Sequence, residues 1–112
     1  MARRNSLNER ELTDTSFFIL LSLTEPKHGY LIMQEIEKMT EGAVSIGPAS
    51  LYTTIRKLSE AGLIRPAPGT ETKKKTYLIT TEGKNLLNED IVRREQIVRT
   101  AKDYLSEREN AE

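Results

Sequence analysis

The sequence predicts a mainly α-helical domain with a small β-wing, followed by one long C-terminal helix. Three observations carry that prediction. Short segments with helical apolar spacing occur three times before residue 62. Two β-branched runs then flank a loop rich in Pro, Gly and Lys. After Thr81 comes a stretch with no Pro and a single early Gly, Gly83.

Residues 13–24 open with a plausible cap, Thr13 or Asp14, and run into Phe17, Phe18, Ile19, Leu20, Leu21 and Leu23. A helix apolar nearly all round belongs at the centre of a domain. Pro26 disfavours helix at the residue before it and marks the end. Residues 29–40 place Ile32, Ile36 and Met39 at i, i+4 and i+7, a second, amphipathic helix. The short β-branched run 43–46 is a candidate strand. Pro48 suits a first helical position, because its missing N–H would be unpaired there anyway. Leu51, Ile55 and Leu58 repeat at helical spacing and Gly62 suits a helix end, so 48–61 form a third helix.

Leu63-Ile64-Arg65 and Thr76–Thr80 read as strands around a basic loop of about ten residues, too long for a tight turn. From Thr81 to about Ser106 the pattern is one helix of about seven turns. Leu87, Ile91, Val98, Ala101 and Leu105 fall on heptad-like steps that Arg94 interrupts. Such a stripe exceeds what a small domain can cover and predicts a partner helix. Arg94 either snorkels at the edge of that seam or pairs with Glu89, Asp90 or Glu95 of the partner, or with an anionic ligand. The polar tail 107–112 is expected to fray. The chain divides into a basic arm (1–12), a winged helix-turn-helix domain (13–80) and a dimerisation helix with its tail (81–112).

The 112 residues suit one domain with a lean core, 37% hydrophobic. Seventeen basic and seventeen acidic side chains balance to a net charge of zero, but unevenly. Residues 48–81 hold six basic groups against Glu60 and Glu71, and Arg3, Arg4 and Arg10 face only Glu9 in the first ten. Such asymmetry fits a phosphate-binding face. With no cysteine, disulfides and thiolate chemistry are excluded. No apolar run reaches membrane-spanning length and the N-terminus lacks a secretory apolar region, so a cytoplasmic protein with no membrane contact is expected. His28 is the lone histidine, and no catalytic or metal motif accompanies it. The expectation is a non-enzyme with no cofactor and no metal.

In a winged helix-turn-helix the third helix enters the major groove of DNA. Its outer face here carries Ser50, Thr53 and Thr54 for base edges or phosphates, and Arg56 and Lys57 for phosphates. Tyr52 faces DNA or buttresses the helix against the wing. Lys73, Lys74 and Lys75 at the wing tip reach the backbone or minor groove. Tyr30 and Tyr77 are expected to be structural, with buried rings and bonded hydroxyls.

The run Ser50-Leu51-Tyr52 with Leu58, Gly62, Leu63 and Ile64 resembles the LY…L…L…GLI pattern of the PadR family of bacterial winged-helix repressors. Gly29-Tyr30-Leu31-Ile32 is similar to that family's GYxI, and Tyr77–Gly83 to its Y-x-L-T-x-x-G. The resemblance spans about residues 13–105. It implies a homodimer built by the last helix, a near-palindromic operator on double-stranded DNA, and release by a small-molecule effector at the dimer interface. Some small members stack flat aromatic drugs on tryptophan; this chain has no Trp. The other readings the residues allow are a winged-helix module that binds protein, a different dimeric winged-helix repressor such as the MarR type, and a ligand-binding dimer whose DNA function has lapsed.

Overall fold

A computed structural model of the chain describes residues 11–68 and 75–111. The order is α1 (Asp14–Ser22), β1 (Lys27–His28), α2 (Gly29–Met39), α3 (Pro48–Glu60), β2 (Ile64–Pro66), β3 (Thr76–Ile79) and α4 (Thr81–Ala111). It is a winged helix with a long C-terminal helix, the architecture expected from the sequence.

Thr13 caps α1 by accepting from the Ser16 N–H at 3.0 Å, and Asp14 complements the helix dipole in the first turn. Ile19, Leu20 and Leu23 on α1, Ile32 and Ile36 on α2, and Leu51 on α3 are completely buried. Burial of each such side chain contributes about 1.5–3 kcal/mol, and together they form one core under the three helices. Ile55 and Leu58 on α3, Leu63, Ile64, Ile79 and Leu87 extend it toward the sheet and the base of α4.

The sheet has three antiparallel strands in the order β1-β3-β2. Ile64 faces Ile79, Arg65 faces Leu78 and Pro66 faces Tyr77. The third strand is β1, paired through Lys27 with Tyr77 and His28 with Thr76. Residues 43–46, expected as a strand, form none. They are an irregular link in which the Thr40 hydroxyl accepts from the Val44 N–H and Ile46 plugs into the core. A two-residue strand leaves no alternation to recognise, so β1 was invisible beside the more β-branched 43–46. The Ile79 N–H donates to the Leu23 carbonyl and the Lys27 ammonium to the Ser22 carbonyl, which ties the end of α1 to the sheet.

Thr80 joins the wing to α4. Its hydroxyl accepts from the Gly83 N–H and donates to the Gly62 carbonyl, while its own N–H donates to the Leu63 carbonyl. Gly62, at φ +79°, sits just past α3 in the left-handed region, as expected for a residue closing a helix. Gly83 is required for another reason: a Cβ there would overlap the Leu63 carbonyl oxygen. The first turn of α4 therefore lies directly against the β2 backbone.

A buried carboxylate fixes α4 further along. Asp90 is fully buried. It accepts from Arg94 Nε at 2.6 Å, Arg93 Nε at 3.0 Å and the Leu12 N–H at 3.4 Å. Arg94 also donates to Asp14 at 2.9 Å and to the Leu12 carbonyl at 3.0 Å, and its guanidinium stacks 4.4 Å from the centre of the Phe17 ring. Leu12 is thus held through both backbone groups by one Asp–Arg pair. Burial alone would raise the Asp90 pKa; the bonds from Arg94, Arg93 and Leu12 outweigh it and hold the carboxyl below its ordinary range.

Two further sequence expectations are corrected. The tail expected to fray continues as helix to Ala111, where Arg108 stacks on and bonds to Tyr104 one turn back. Tyr30, expected to be buried, is 60% exposed with its hydroxyl accepting from Gln34. It lies off the Ile32–Ile36–Met39 stripe, so helical periodicity itself points it outward.

Gly83→Ala should lower unfolding free energy by about 3 kcal/mol, because the clashing atom is backbone and cannot turn away; urea denaturation measures it. Asp90→Asn should cost about 3 kcal/mol at neutral pH by leaving Arg94 only the exposed Asp14 carboxylate. Because the folded pKa of Asp90 is depressed, its stabilisation is complete above pH about 4 and is lost as pH falls through the folded value. Urea midpoints between pH 5 and 3 should therefore fall more steeply for the wild type than for Asp90→Asn; parallel curves would contradict the assignment.

Candidate nucleic-acid interface

Helix α3 divides its residues cleanly. Leu51, Ile55 and Leu58 face the core. Ser50, Tyr52, Thr53, Arg56 and Lys57 are exposed, and Thr54 is half-buried. The Thr54 hydroxyl donates to the Ser50 carbonyl at 2.8 Å, which leaves its lone pairs for an incoming donor.

The electrostatics of this face are one-sided. Gly47 caps α3 with no side-chain bond, Pro48 opens the helix, and no acid stands in its first turn. The Ala49 and Ser50 N–H groups therefore keep their capacity to bind an anion. Helix α1 differs: Thr13 and Asp14 already satisfy its start. Arg56 and Lys57 enter no salt bridge among the described residues. Cations that no carboxylate neutralises remain available to phosphates.

The hairpin carries the same charge sign. Its arms pair out to the Ala67 N–H, which donates to the Thr76 carbonyl. Lys75 is the next residue toward the tip and is exposed. Lys73 and Lys74 lie outside the described residues. Arg65 on β2 is also exposed, and it makes a long bond to the carbonyl of its neighbour Pro66. It was not singled out from the sequence; its place opposite Leu78 in a strand whose neighbour Ile64 is buried is the signal that marks it.

The positions expected at a partner interface separate into two groups. Leu87 is buried in the protomer's own core, Ile91 is half-buried against it, and Arg94 spends its donors on Asp90, Asp14 and Leu12 of the same chain. Val98, Ala101 and Leu105 are exposed, and so are Val92, Ile97 and Tyr104. From Glu95 to Asn110 every residue of α4 is exposed. Between Phe17 and this helix runs an open groove of about 680 Å³, lined by Ile91, Arg94, Val98 and Arg99 among others. Among the described residues no cluster of three or more His, Cys, Asp or Glu is placed to hold a metal, and no helix is long and apolar enough to cross a membrane.

Comparison with known proteins agrees with this architecture. The family model described as "Transcriptional regulator PadR-like family" matches residues 19–89. An uncharacterised protein of Lysinibacillus sphaericus is 34% identical over 77 residues, covering 66% of this chain and 71% of that protein. A transcriptional regulator from Clostridium thermocellum superposes with a TM-score of 0.68 at 25% identity, over 81% of this chain and 91% of its own. A PadR family regulator from Eggerthella lenta matches equally well, with a TM-score of 0.68 at 23% identity, over 93% of this chain and 91% of its own.

Proposed function

The chain belongs to the PadR-like family of transcriptional regulators, and from that premise we propose that it is a homodimeric repressor that reads a near-palindromic DNA operator and is released by a small molecule or another signal. The observation that carries the reading is the outer face of α3. It presents hydroxyls, an aromatic ring and two unneutralised cations, next to a helix start with no acid. Arg56, Lys57, Arg65 and the wing lysines Lys73, Lys74 and Lys75 supply phosphate contacts, which set affinity and register. Ser50, Thr53 and Thr54 supply hydroxyls on the same face for base edges, which set sequence preference.

Homodimerisation is supported by the length of α4 that the domain leaves bare. Ile97, Val98, Tyr104 and Leu105 are each more than half exposed over two helical turns and more. An apolar stripe of that extent on a helix is usually covered by another helix. A two-fold through this region would set two α3 helices in successive major grooves, about 34 Å apart. The groove beside Phe17 and Arg94 lies at the root of the same helix. A ligand seated there that prefers one dimer geometry would shift the spacing of the two α3 helices, and so the affinity for the operator. Zero net charge favours a second reading, a module that binds protein.

Fluorescence anisotropy against the DNA upstream of the protein's own gene separates the two. Tight, salt-weakened binding that exceeds binding to a shuffled duplex is expected. Lys75→Ala should weaken both duplexes alike and lower the salt slope by about 1, whereas Thr53→Ala should cost about 1–3 kcal/mol on the native duplex alone. Equal binding to neither duplex at low salt would leave the protein-binding module in its place. For the assembly, Leu105→Glu should convert a sedimenting dimer to a monomer and weaken operator binding, with the melting of the winged-helix domain preserved. A dimer that survives both Leu105→Glu and Val98→Glu would refute the assignment of this face.

A further inference from the structure

Gly29 opens α2 and is buried, although the Tyr30 beside it projects into solvent. A Cβ built on Gly29 would overlap the Tyr52 hydroxyl, lie 2.9 Å from Tyr52 Cζ and 3.2 Å from Leu51 Cδ2. The end of the Tyr52 ring therefore fills the space that any other side chain at position 29 would take. Gly29 lies in an ordinary helical conformation and is not among the residues at positive φ. Its requirement is one of volume alone.

Tyr52 is held at one end and open along the rest. Its neighbour Leu51 is completely buried, while Tyr52 itself is 52% exposed. Tyr77 of β3 lies within electrostatic reach: its hydroxyl pKa is raised by burial and then by the charge of Tyr52. The start of α2 and the second turn of α3 thus meet at one phenol, with the middle strand of the wing in electrostatic reach of it. Two elements that would have to keep their relative placement on DNA share this contact.

We propose that Gly29 is a positioning residue for DNA binding: the notch left by its missing side chain seats the Tyr52 ring, so that α3 offers this tyrosine in one fixed orientation. The inference rests on the DNA-binding reading above and adds to it a residue that touches no DNA. An exposed tyrosine free to rotate would lose rotamer freedom on every binding event. The notch removes that loss beforehand.

The test is a cycle of four proteins: wild type, Gly29→Ala, Tyr52→Ala and the double variant. The probe is a duplex selected by the wild type from a randomised pool, with a mixed-sequence duplex as competitor. Gly29→Ala is expected to bind the selected duplex about tenfold more weakly, since the displaced group is one recognition contact. The double variant is expected to bind no more weakly than Tyr52→Ala alone, because Gly29 acts only through Tyr52. Melting should change little in Gly29→Ala, as the displaced ring can swing into solvent.

A reading free of DNA accompanies it. Alkaline absorbance titration, with Tyr77→Phe to identify the signal, should show the Tyr77 hydroxyl titrating lower in Gly29→Ala than in the wild type. Unchanged affinity in Gly29→Ala, or losses that add in the double variant, would overturn the proposal. If the wild type selects no duplex from the pool, the DNA-binding reading fails and this role with it, while the titration still reports whether the notch seats the ring. Should Gly29→Ala unfold, the double variant decides: restored folding there supports the steric notch, and continued unfolding overturns it.

Discussion

The buried Asp90 carboxylate is the interaction on which the rest of the architecture depends. A carboxylate removed from water is costly unless strong donors surround it. Here the donors come from its own helix, through Arg93 and Arg94, and from the segment ahead of α1, through Leu12. Arg94 reaches on to Asp14 and Leu12 and lies over Phe17. One charge pair therefore binds the segment just ahead of α1 to a helix more than seventy residues later. It also sets the direction in which α4 leaves the domain. Gly83 against the Leu63 carbonyl fixes the same helix at its start. Two fixed points determine a line, and the exposed half of α4 extends along it.

That line matters because the two faces of the molecule do different work. The inner faces of α1, α2 and α3 are satisfied by one another. The outer face of α3 and the outer half of α4 are left exposed. Among the described residues, the first has no acid in its opening turn and no salt bridge at Arg56 or Lys57; the second carries a long apolar stripe. A bare apolar stripe is a cost to the isolated fold, and so is a helix start without a side-chain cap. Their concentration on two surfaces, with the remainder of the chain well satisfied, is what a regulator with one polyanionic partner and one identical partner would show.

Elements whose identity follows from periodicity were legible in advance. The three core helices were so because each repeats its apolar residues at helical spacing, and the face of α3 left for a partner was found by subtraction. Thr13, Pro48 and Gly62 marked ends through local capping chemistry, which involves only neighbouring residues. Strand β1 was not legible, since two residues carry no period and its partner, β3, lies about fifty residues away. The run 43–46 had the better strand composition, yet pairing depends on an available edge, which only the folded chain supplies. The polar tail was misjudged because helix persists there through Arg108 on Tyr104 rather than through an apolar face.

By itself, the sequence determined the winged-helix class, the order of its helices and of the wing hairpin, the residues that α3 turns outward and the existence of an apolar stripe too long for one domain. These depend on spacing and on the chemistry of adjacent residues. Tertiary structure alone decided which part of the stripe is spent at home, with Leu87 in the core and Arg94 clamped to Asp90, and which part is bare. It alone decided that Tyr30 is open and that Tyr52 leans on Gly29. Those outcomes turn on volumes and donors brought together from distant positions, and no local pattern records which atoms will share a space.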